Sequence, residues 1–493
     1  MNRTAVRMLA TMILASSMAH DPILHGDEPV RWTVPDVLRS VPPLAHDYAG
    51  RLPMITWPAF VMSTNDTSFR DRKPMPPEVY RELASRGLTQ RIPLHEGYIE
   101  MARAIQSAGA AVIFVEGWGG NGPYDLGTDP LHRLPADYKI AQGDHHYACP
   151  LLFEGWRVKA DNIRSILRKY REAGIEVSAA WLDWEVEPLV WSRGRWEQAA
   201  ACSRCRKLFP RRVLDSWKEY VNFIMALRAD LFSAYVAAPI LEIYPGCSVT
   251  DWEKVYSSPE CPTPSCWGTW KFPPMSLGLF TAANPVAYGN DIYYREHWST
   301  NWNYPLDQEH MDRLYTHVML GQISAHMENA LRLESEKQCV PWVCRYCPDV
   351  DDDKVPILSR SRYREILRHI WLRGADSMQI FNEPRPKHPE IAVEEVEDAV
   401  AVYDEMLAYR EFLEDGRVMN TEVPEVTWNG AIWSGLKLGD RAVVRSFTQD
   451  SADAAFSLKP WPDAQEIRLV APPTGRTWLL RREADRVTAE PVE

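Results

Sequence analysis

The sequence predicts an α/β fold, a closed (β/α) TIM-like barrel followed by a small C-terminal antiparallel β domain. Short apolar runs alternate with amphipathic helical stretches between residues 55 and 412. Repeated strand–helix units of this kind imply a parallel sheet with helical crossovers, and seven or eight of them suit a closed barrel. Gly174 and Gly374 each stand just before an apolar run, as helix-ending glycines do. An open doubly wound sheet is the alternative, but no glycine-rich phosphate loop follows the first run.

The predicted elements follow the apolar periodicity. Strands are predicted at 55–62, 111–116, 175–183, 239–244, 286–293, 339–345 and 377–381, with 277–281 as a possible eighth. Helices are predicted at 96–108, 160–173, 213–235, 308–333, 362–373 and 393–412. Beyond residue 425, short alternating segments at 441–447, 466–470 and 477–481 predict the β domain.

The two ends of the chain differ from its middle in residue composition and hydrophobic pattern. Arg3 and Arg7 precede an apolar run at 8–15, and Ser17-Met18-Ala19 resembles a cleavage site. We therefore predict a signal peptide over 1–19 and export to the periplasm or the extracellular space. A lead-in segment at 20–50, the barrel at 51–424 and a β-rich accessory domain at 425–493 complete the predicted organisation. No later segment is apolar enough to predict a membrane partner.

Composition limits the classes of ligand. The chain has 493 residues and a net charge of −12, which argues against nucleic acid as a partner. Its 20 tryptophans are many for this length. Most are expected to fill the core, but an indole also offers a flat surface to the apolar face of a sugar ring. We expect a carbohydrate substrate, no cofactor and no catalytic metal, while the oligomeric state stays open.

The segment expected to carry the chemistry is Ser178–Pro188, an apolar strand that ends in three carboxylates. Asp183 and Glu185 are two residues apart, so on a strand they project from one face. They lie at the carboxyl end of a predicted barrel strand, where barrel enzymes place catalytic groups. Two neighbouring carboxylates repel, so the pKa of one rises and that group can donate a proton to a glycosidic oxygen. A salt-bridged strand end is the structural alternative.

Asp183-Trp184-Glu185, followed by Pro188-Leu189 and Trp191, resembles the D-W-E signature of hyaluronidase-type glycoside hydrolases. Weaker similarities extend over 110–385. The resemblance implies that Glu185 is the general acid/base and that Asp183 positions the substrate's N-acetyl group, whose oxygen attacks the anomeric carbon. It also implies that Tyr293 helps to hold that group and that Tyr244, on the strand predicted at 239–244, lines the site.

A second mechanism follows from Asn382-Glu383-Pro384, which ends the last predicted strand. N-E-P is the acid/base motif of many retaining β-glycosidases, although in those enzymes it follows the fourth strand. Glu383 would here face Glu185 as a nucleophile, and the separation of the two carboxylates would decide between retention and inversion. Further candidates for substrate binding follow other predicted strands: Glu116, Trp118, Trp184, Glu187, Tyr244, Tyr293, Trp298 and Asn382.

Two other functions are compatible with these residues. One is a non-catalytic carbohydrate-binding barrel, and the other is a structural protein in which the carboxylates form only ion pairs. The nine cysteines include two C-x-x-C pairs, Cys202 with Cys205 and Cys344 with Cys347. These pairs could supply four thiolates to a structural zinc, although local disulfides or free thiols fit the spacing as well.

Overall fold

A computed structural model describes most of the chain. The described residues are 34–47, 55–57, 73–115, 139–142, 145–148, 153–182, 193–203, 205–265, 271–288, 307–346, 356–381 and 389–492. The predicted signal peptide at 1–19 lies outside them.

Among the described residues, twelve short strands precede residue 390, and eight of them form one parallel sheet in the order β7-β6-β3-β2-β1-β12-β11-β9. The strands are β1 (Ile55–Trp57), β2 (Leu88–Ile92), β3 (Val112–Phe114), β4 (Lys139–Gln142), β5 (His145–Ala148), β6 (Val177–Trp181), β7 (Ser248–Thr250), β8 (Ala282–Ala283), β9 (Val286–Tyr288), β10 (Gln338–Cys339), β11 (Trp342–Cys344) and β12 (Gln379–Ile380). The strands β4 and β5 pair with each other as a separate antiparallel hairpin.

The parallel sheet closes on itself. Thr56 on β1 pairs with Gln379 on β12, which joins the first strand to the last. At the other seam, the Thr281 backbone N–H donates to the Val249 carbonyl of β7 at 3.0 Å. Thr281 begins the run that carries β8 and β9, interrupted only at 284–285, and β8 and β9 pair with β10 and β11. The fold is therefore a TIM-like barrel, as the sequence predicted.

Helices surround the barrel and bury their apolar faces against it. Their bounds are α1 (Val34–Ser40), α2 (Pro77–Ala84), α3 (Ile99–Ser107), α4 (Phe153–Glu172), α5 (Arg193–Ala201), α6 (Cys205–Leu208), α7 (Arg211–Asp215), α8 (Trp217–Phe232), α9 (Ala238–Ile243), α10 (Gln308–Arg332), α11 (Arg360–Trp371), α12 (Pro389–Leu407) and α13 (Arg410–Asp415). Three long helices begin at capping side chains that accept a backbone N–H, those of Ser216, Asp307 and Ser359.

The structure corrects two of the predicted strands and adds two others. The run at 239–244 is helical, because α8 continues through a π-helical turn (Ser233–Ala237) into α9. The possible eighth strand at 277–281 is instead a turn that leads into β8. The fifth barrel strand is β7, which the sequence did not predict, and neither did it predict β2.

One helical stretch, Trp217–Ile243, is long and apolar enough to cross a membrane by length and composition. Within the described part of the chain it is the single stretch that passes this test, and 61% of its most apolar window is buried inside the protein. Burial of this kind is typical of a core helix, and here the stretch packs against α4 on the outside of the barrel.

The C-terminal region forms an antiparallel sheet in the order β13-β14-β15-β18-β19, with a separate β16–β17 hairpin. The strands are β13 (Arg417–Val418), β14 (Ala431–Leu438), β15 (Arg441–Thr448), β16 (Ala454–Leu458), β17 (Ile467–Ala471), β18 (Arg476–Glu483) and β19 (Arg486–Val492). Ile432 and Phe447 join the main core shared with the barrel helices. Val444 and Leu480 point the other way, into a small core covered by the hairpin. The predicted β domain is thus packed on the barrel.

Candidate active site at the carboxyl ends of the barrel strands

Side chains of the barrel strands alternate between two cores. Along β6, Ala180 and the following Leu182 belong to the large core between sheet and helices, whereas Ala179 and Trp181 belong to a second core inside the barrel. The members of this inner core are Ala111, Ile113, Val115, Ala179, Trp181, Trp252, Ala282, Val286, Val340, Trp342 and Cys344, with Phe381 packed against them. The barrel interior is therefore filled, and it is rich in aromatic rings.

Trp181 is the last inward-facing residue of β6 that the structure describes. It is completely buried, and its indole Nε1 donates to the Ser248 Oγ on β7 at 2.9 Å. The backbone N–H of the next residue, Leu182, still bonds to the Thr250 carbonyl at 2.9 Å. The strand register of β6 therefore persists to the residue immediately before Asp183.

A cation lies inside the barrel beside these rings. Arg91, on β2, is only 8% exposed, and its guanidinium carbon is 4.6 Å from the centroid of the Trp342 ring. The same ring meets Phe381 edge to face at 5.7 Å. A buried guanidinium favours the ionised form of a nearby carboxylate, so Arg91 supplies positive charge to the barrel interior.

The carboxyl end of β7 contributes a second group of polar side chains. Asp251 is fully buried, and Arg228 Nη2 lies 3.4 Å from its Oδ2. Lys254 is also fully buried, and its ammonium lies 5.2 Å from the Phe232 ring centroid. Trp252, between them in sequence, faces the barrel interior. Charged groups buried this deeply need compensating partners, and the Arg228–Asp251 pair provides such compensation at the carboxyl end of β7.

Sequence reasoning missed Arg91 and the residues after β7 because it missed their strands. A signal was available for β7, since Asp251-Trp252 repeats the Asp-Trp dipeptide of Asp183-Trp184. Asp251 directly follows β7, and Asp183 directly follows Leu182, the last residue that keeps the strand register of β6. No comparable signal marks Arg91, because an arginine in a short run with two other polar residues does not look like part of a strand.

Tyr244 is the one predicted site residue that the structure describes, and its placement differs from the expectation. It follows the helix α9 and is 6% exposed. Its hydroxyl donates to the Ile175 carbonyl at 2.9 Å, just before β6 begins. Burial raises the Tyr244 pKa to about 12, which suits a structural hydroxyl. Tyr244 therefore anchors the amino end of β6, the end opposite to Asp183.

The other predicted site residues lie outside the described part of the chain. They are Glu116, Trp118, Asp183, Trp184, Glu185, Glu187, Tyr293, Trp298, Asn382 and Glu383. Several of them follow described carboxyl ends: Glu116 comes after Val115, Asp183 after Leu182, and Asn382 after Phe381. The described residues immediately before these three candidates, Val115, Leu182 and Phe381, lie at the same end of the barrel because their strands are parallel.

Cysteines and other metal-ligating groups do not cluster in the described part of the chain. No three His, Cys, Asp or Glu side chains there are arranged to hold a metal ion. The described cysteines are free thiols, including Cys202 and Cys205 of the first C-x-x-C pair and Cys344 of the second. Cys347, the remaining member of the zinc hypothesis, lies outside the described residues.

No protein-family model matches the chain, and no curated protein matches it. Solved structures with a similar arrangement include a β-galactosidase from Halorubrum lacusprofundi, at 12% identity and a TM-score of 0.44, where the match covers 69% of this chain and 57% of the enzyme. An α-amylase from Geobacillus thermoleovorans matches at 9% identity over 90% of this chain and 99% of its own, with a TM-score of 0.42.

A GH30 endoxylanase from Clostridium papyrosolvens is also similar, at 9% identity and a TM-score of 0.38, with 83% of this chain and 94% of the endoxylanase covered. These structural neighbours are glycoside hydrolases of several families. The chain spans less than two thirds of the β-galactosidase's length. The assignment of this chain to the barrel fold follows from its own strand order and register.

Proposed function

We propose that this protein is a glycoside hydrolase that cleaves a poly- or oligosaccharide by carboxylate acid/base catalysis. The observation that carries the proposal is the orientation of β6. Ala179 and Trp181 face the barrel interior, and the register holds through Leu182. We infer that the alternation continues, which gives Asp183 and Glu185 the inward side at the carboxyl end of the fourth barrel strand.

The surroundings of this position support a sugar as the substrate. Trp181, Trp252, Trp342 and Phe381 place aromatic rings in the barrel interior below it. Trp181 and Trp342 are completely buried and support the site from within, whereas the partly exposed Phe381 ring can stack on the apolar face of a sugar, and the acidic pair supplies acceptors for hydroxyl groups. The proposed substrate class thus follows from side chains of this barrel itself.

In the proposed reaction Glu185 protonates the glycosidic oxygen as the bond to the anomeric carbon breaks, and it then takes a proton from the attacking water. Asp183 would hold a 2-acetamido group whose carbonyl oxygen attacks the anomeric carbon. The alternative assigns the attack to Glu383, which follows the last barrel strand two residues beyond Phe381. Attack by Glu383 requires no acetamido group on the sugar.

The test is a set of single substitutions assayed on a glycan panel that contains both 2-acetamido and 2-hydroxy sugars. Glu185→Gln is expected to lower kcat by about 10²–10⁴-fold while substrate binding survives. Glu176→Gln, an exposed carboxylate at the amino end of the same barrel strand, is the matched control and is expected to retain activity.

The two mechanisms differ in their substrates and in their sensitive residue. Substrate assistance predicts turnover of acetamido sugars only and a large loss in Asp183→Asn. A nucleophilic Glu383 predicts turnover of 2-hydroxy sugars and a large loss in Glu383→Gln. Full activity in Glu185→Gln would remove Glu185 from the acid role. Sugar binding without hydrolysis over the whole panel would instead favour the non-catalytic binding barrel.

A further inference from the structure

A cavity of about 150 Å³ lies at the junction of the barrel helices and the C-terminal β domain. Its lining includes two indoles, two carboxylates and one buried guanidinium, those of Trp428, Trp433, Glu422, Glu425 and Arg373. None of these residues belongs to the candidate active site. The combination of flat apolar walls with several polar groups is typical of sites for small polar ligands.

The indole walls are held in place by hydrogen bonds. Trp428 is 44% exposed, yet its Nε1 donates to the Ala431 carbonyl at 3.1 Å, and its own carbonyl accepts from Arg313 Nη1 of α10 at 3.2 Å. Trp433 is half-buried and stacks on Phe456 with 6.3 Å between ring centroids. A large exposed indole that is fixed in this way loses little conformational entropy on binding.

The floor of the cavity is held by the barrel. Arg373, two residues beyond the end of α11, is 1% exposed and donates to the carbonyls of Glu422 at 2.7 Å and Trp433 at 3.1 Å. Asn420 Nδ2 donates to the same Trp433 carbonyl at 2.7 Å. The cavity walls are therefore anchored to a rigid helix, and their spacing is set before any ligand arrives.

The carboxylates of Glu422 and Glu425 are exposed at this cavity, and neither forms an ion pair with another described residue. Their acceptor oxygens remain available to hydroxyl donors. The buried Arg373 guanidinium in the floor partly offsets their negative charge. A flat indole beside free acceptor oxygens matches a sugar ring, which has an apolar face and hydroxyl donors at its edge.

We propose that this cavity binds one ring of a neutral saccharide, as a second carbohydrate site outside the barrel. The apolar face of the ring would stack on the exposed Trp428 indole, and its hydroxyls would donate to Glu422 and Glu425. This proposal does not rest on the proposed hydrolase activity, since a sugar can bind here whether or not the barrel cleaves it.

The experiment measures retardation of the full-length protein in native gels that contain xylan, soluble starch or galactan. The Glu185→Gln background prevents hydrolysis of the polysaccharide during the run. At least one polysaccharide is expected to retard the protein, and Trp428→Ala is expected to weaken that interaction by about tenfold or more. Trp428→Phe keeps a flat ring and is expected to restore part of the retardation.

Leu479→Ala removes another exposed apolar side chain of the same domain and is the matched control, with no expected change. Unchanged melting temperatures would show that the variants fold. Equal retardation of Trp428→Ala and the parent protein overturns the proposal, as does a lack of retardation in all three gels. The proposal is also overturned if tetramethylammonium abolishes the retardation and free sugars do not. In that case the site would prefer a cation to a sugar. Hydrolysis of a short soluble substrate by Trp428→Ala in the native Glu185 background tests the active site separately.

Discussion

Arg445 on β15 donates to both carboxylate oxygens of Glu365 on α11, from Nε at 2.8 Å and from Nη2 at 2.6 Å. Both residues are buried, at 8% and 6% exposure. This two-point ion pair links the β domain to a barrel helix. Gly475 packs so closely that a Cβ added there would lie 2.4 Å from Glu365 Oε1, so the pair is enclosed by backbone as well.

Glu365→Gln is expected to destabilise the protein by about 3–5 kcal/mol, because it leaves the buried Arg445 charge without its counterion. Chemical denaturation at pH 7 measures the change. Glu411→Gln breaks the exposed pair with Arg441 and is the matched control, with little expected effect. Equal stability of the Glu365→Gln and Glu411→Gln proteins would contradict a structural role for the buried pair.

The buried histidines make stability depend on pH. Burial lowers the pKa of His326 to about 4 and that of His369 to about 4. As the pH falls below about 6.5, the unfolded chain takes up these protons first. The free energy of unfolding is therefore expected to fall between about pH 6.5 and pH 4, by up to about 1.4 kcal/mol per pH unit for each histidine. Urea denaturation across this range provides the measurement.

The carboxylate beside His369 acts at lower pH. Burial opposes ionisation of Glu365, but the His369 ring 3.3 Å away and the hydrogen bonds from Arg445 lower its pKa to about 2. Its stabilising contribution is complete above the unfolded pKa and is lost only as the pH falls toward 2. Since His326 titrates above this range, His326→Gln is expected to flatten the slope between pH 6.5 and pH 4. An unchanged slope in His326→Gln would contradict this assignment.

Two buried glutamines should respond in opposite directions to the same substitution. Gln90 on β2 is 1% exposed, and neither side-chain polar atom has a hydrogen-bond partner among the described residues. Gln322 on α10 is also 1% exposed, but its amide accepts from the Val286 N–H at 2.9 Å and donates to the Val286 carbonyl at 2.8 Å.

Gln90→Met is expected to raise the free energy of unfolding by about 1–2 kcal/mol, because an unpaired buried amide is removed. Gln322→Met is expected to lower it by about 1–3 kcal/mol, because two Val286 backbone groups lose their partner. Calorimetry of the two variants beside the parent protein measures both changes. A lower free energy of unfolding for Gln90→Met would contradict the prediction, because it would mean that the Gln90 amide has a hydrogen-bond partner in solution.

Two glycines share a positive φ but differ in their surroundings. Gly278 has φ +55°, and a Cβ there would lie 2.1 Å from Ser233 Oγ, which accepts the Leu279 N–H. Gly109 has φ +81°, and a Cβ there would meet no described atom within 4 Å. Gly109→Ala is expected to cost about 1 kcal/mol from backbone strain alone. Gly278→Ala is expected to lower the free energy of unfolding by clearly more, as measured by thermal denaturation. Equal losses in the two variants would exclude a steric contribution at Gly278.

The barrel could be predicted because most of its strands are apolar on both faces. Strands of this kind stand out as continuous runs, as at Ile113, Ala180 and Val343. The strand β2 was missed because it carries Thr89, Gln90 and Arg91 in succession, and burial of such residues depends on partners elsewhere in the fold. The helix α9 was mistaken for a strand because a short apolar run rich in isoleucine fits either period.

The candidate site was predictable only in part for a related reason. Asp183 and Glu185 follow an apolar run that the structure confirms as a strand. The side of the sheet expected for them could therefore be predicted, because side chains alternate between the two faces of a strand. Tyr244 was assigned through a strand that is a helix, and its hydroxyl lies at the opposite end of β6. Arg91 comes from a strand without a local signature, and only the three-dimensional register reveals that it faces Trp342.

The Thr56–Gln379 pairing has a consequence for biosynthesis. During translation β1 leaves the ribosome long before β12 exists, so its outer edge has no partner until almost the whole barrel has been made. Contacts between such distant parts of a chain form slowly, because a large loop must close first. The nascent chain therefore carries an unprotected strand edge through most of its synthesis, and this seam is where chaperone dependence and self-association of incomplete chains are expected to arise.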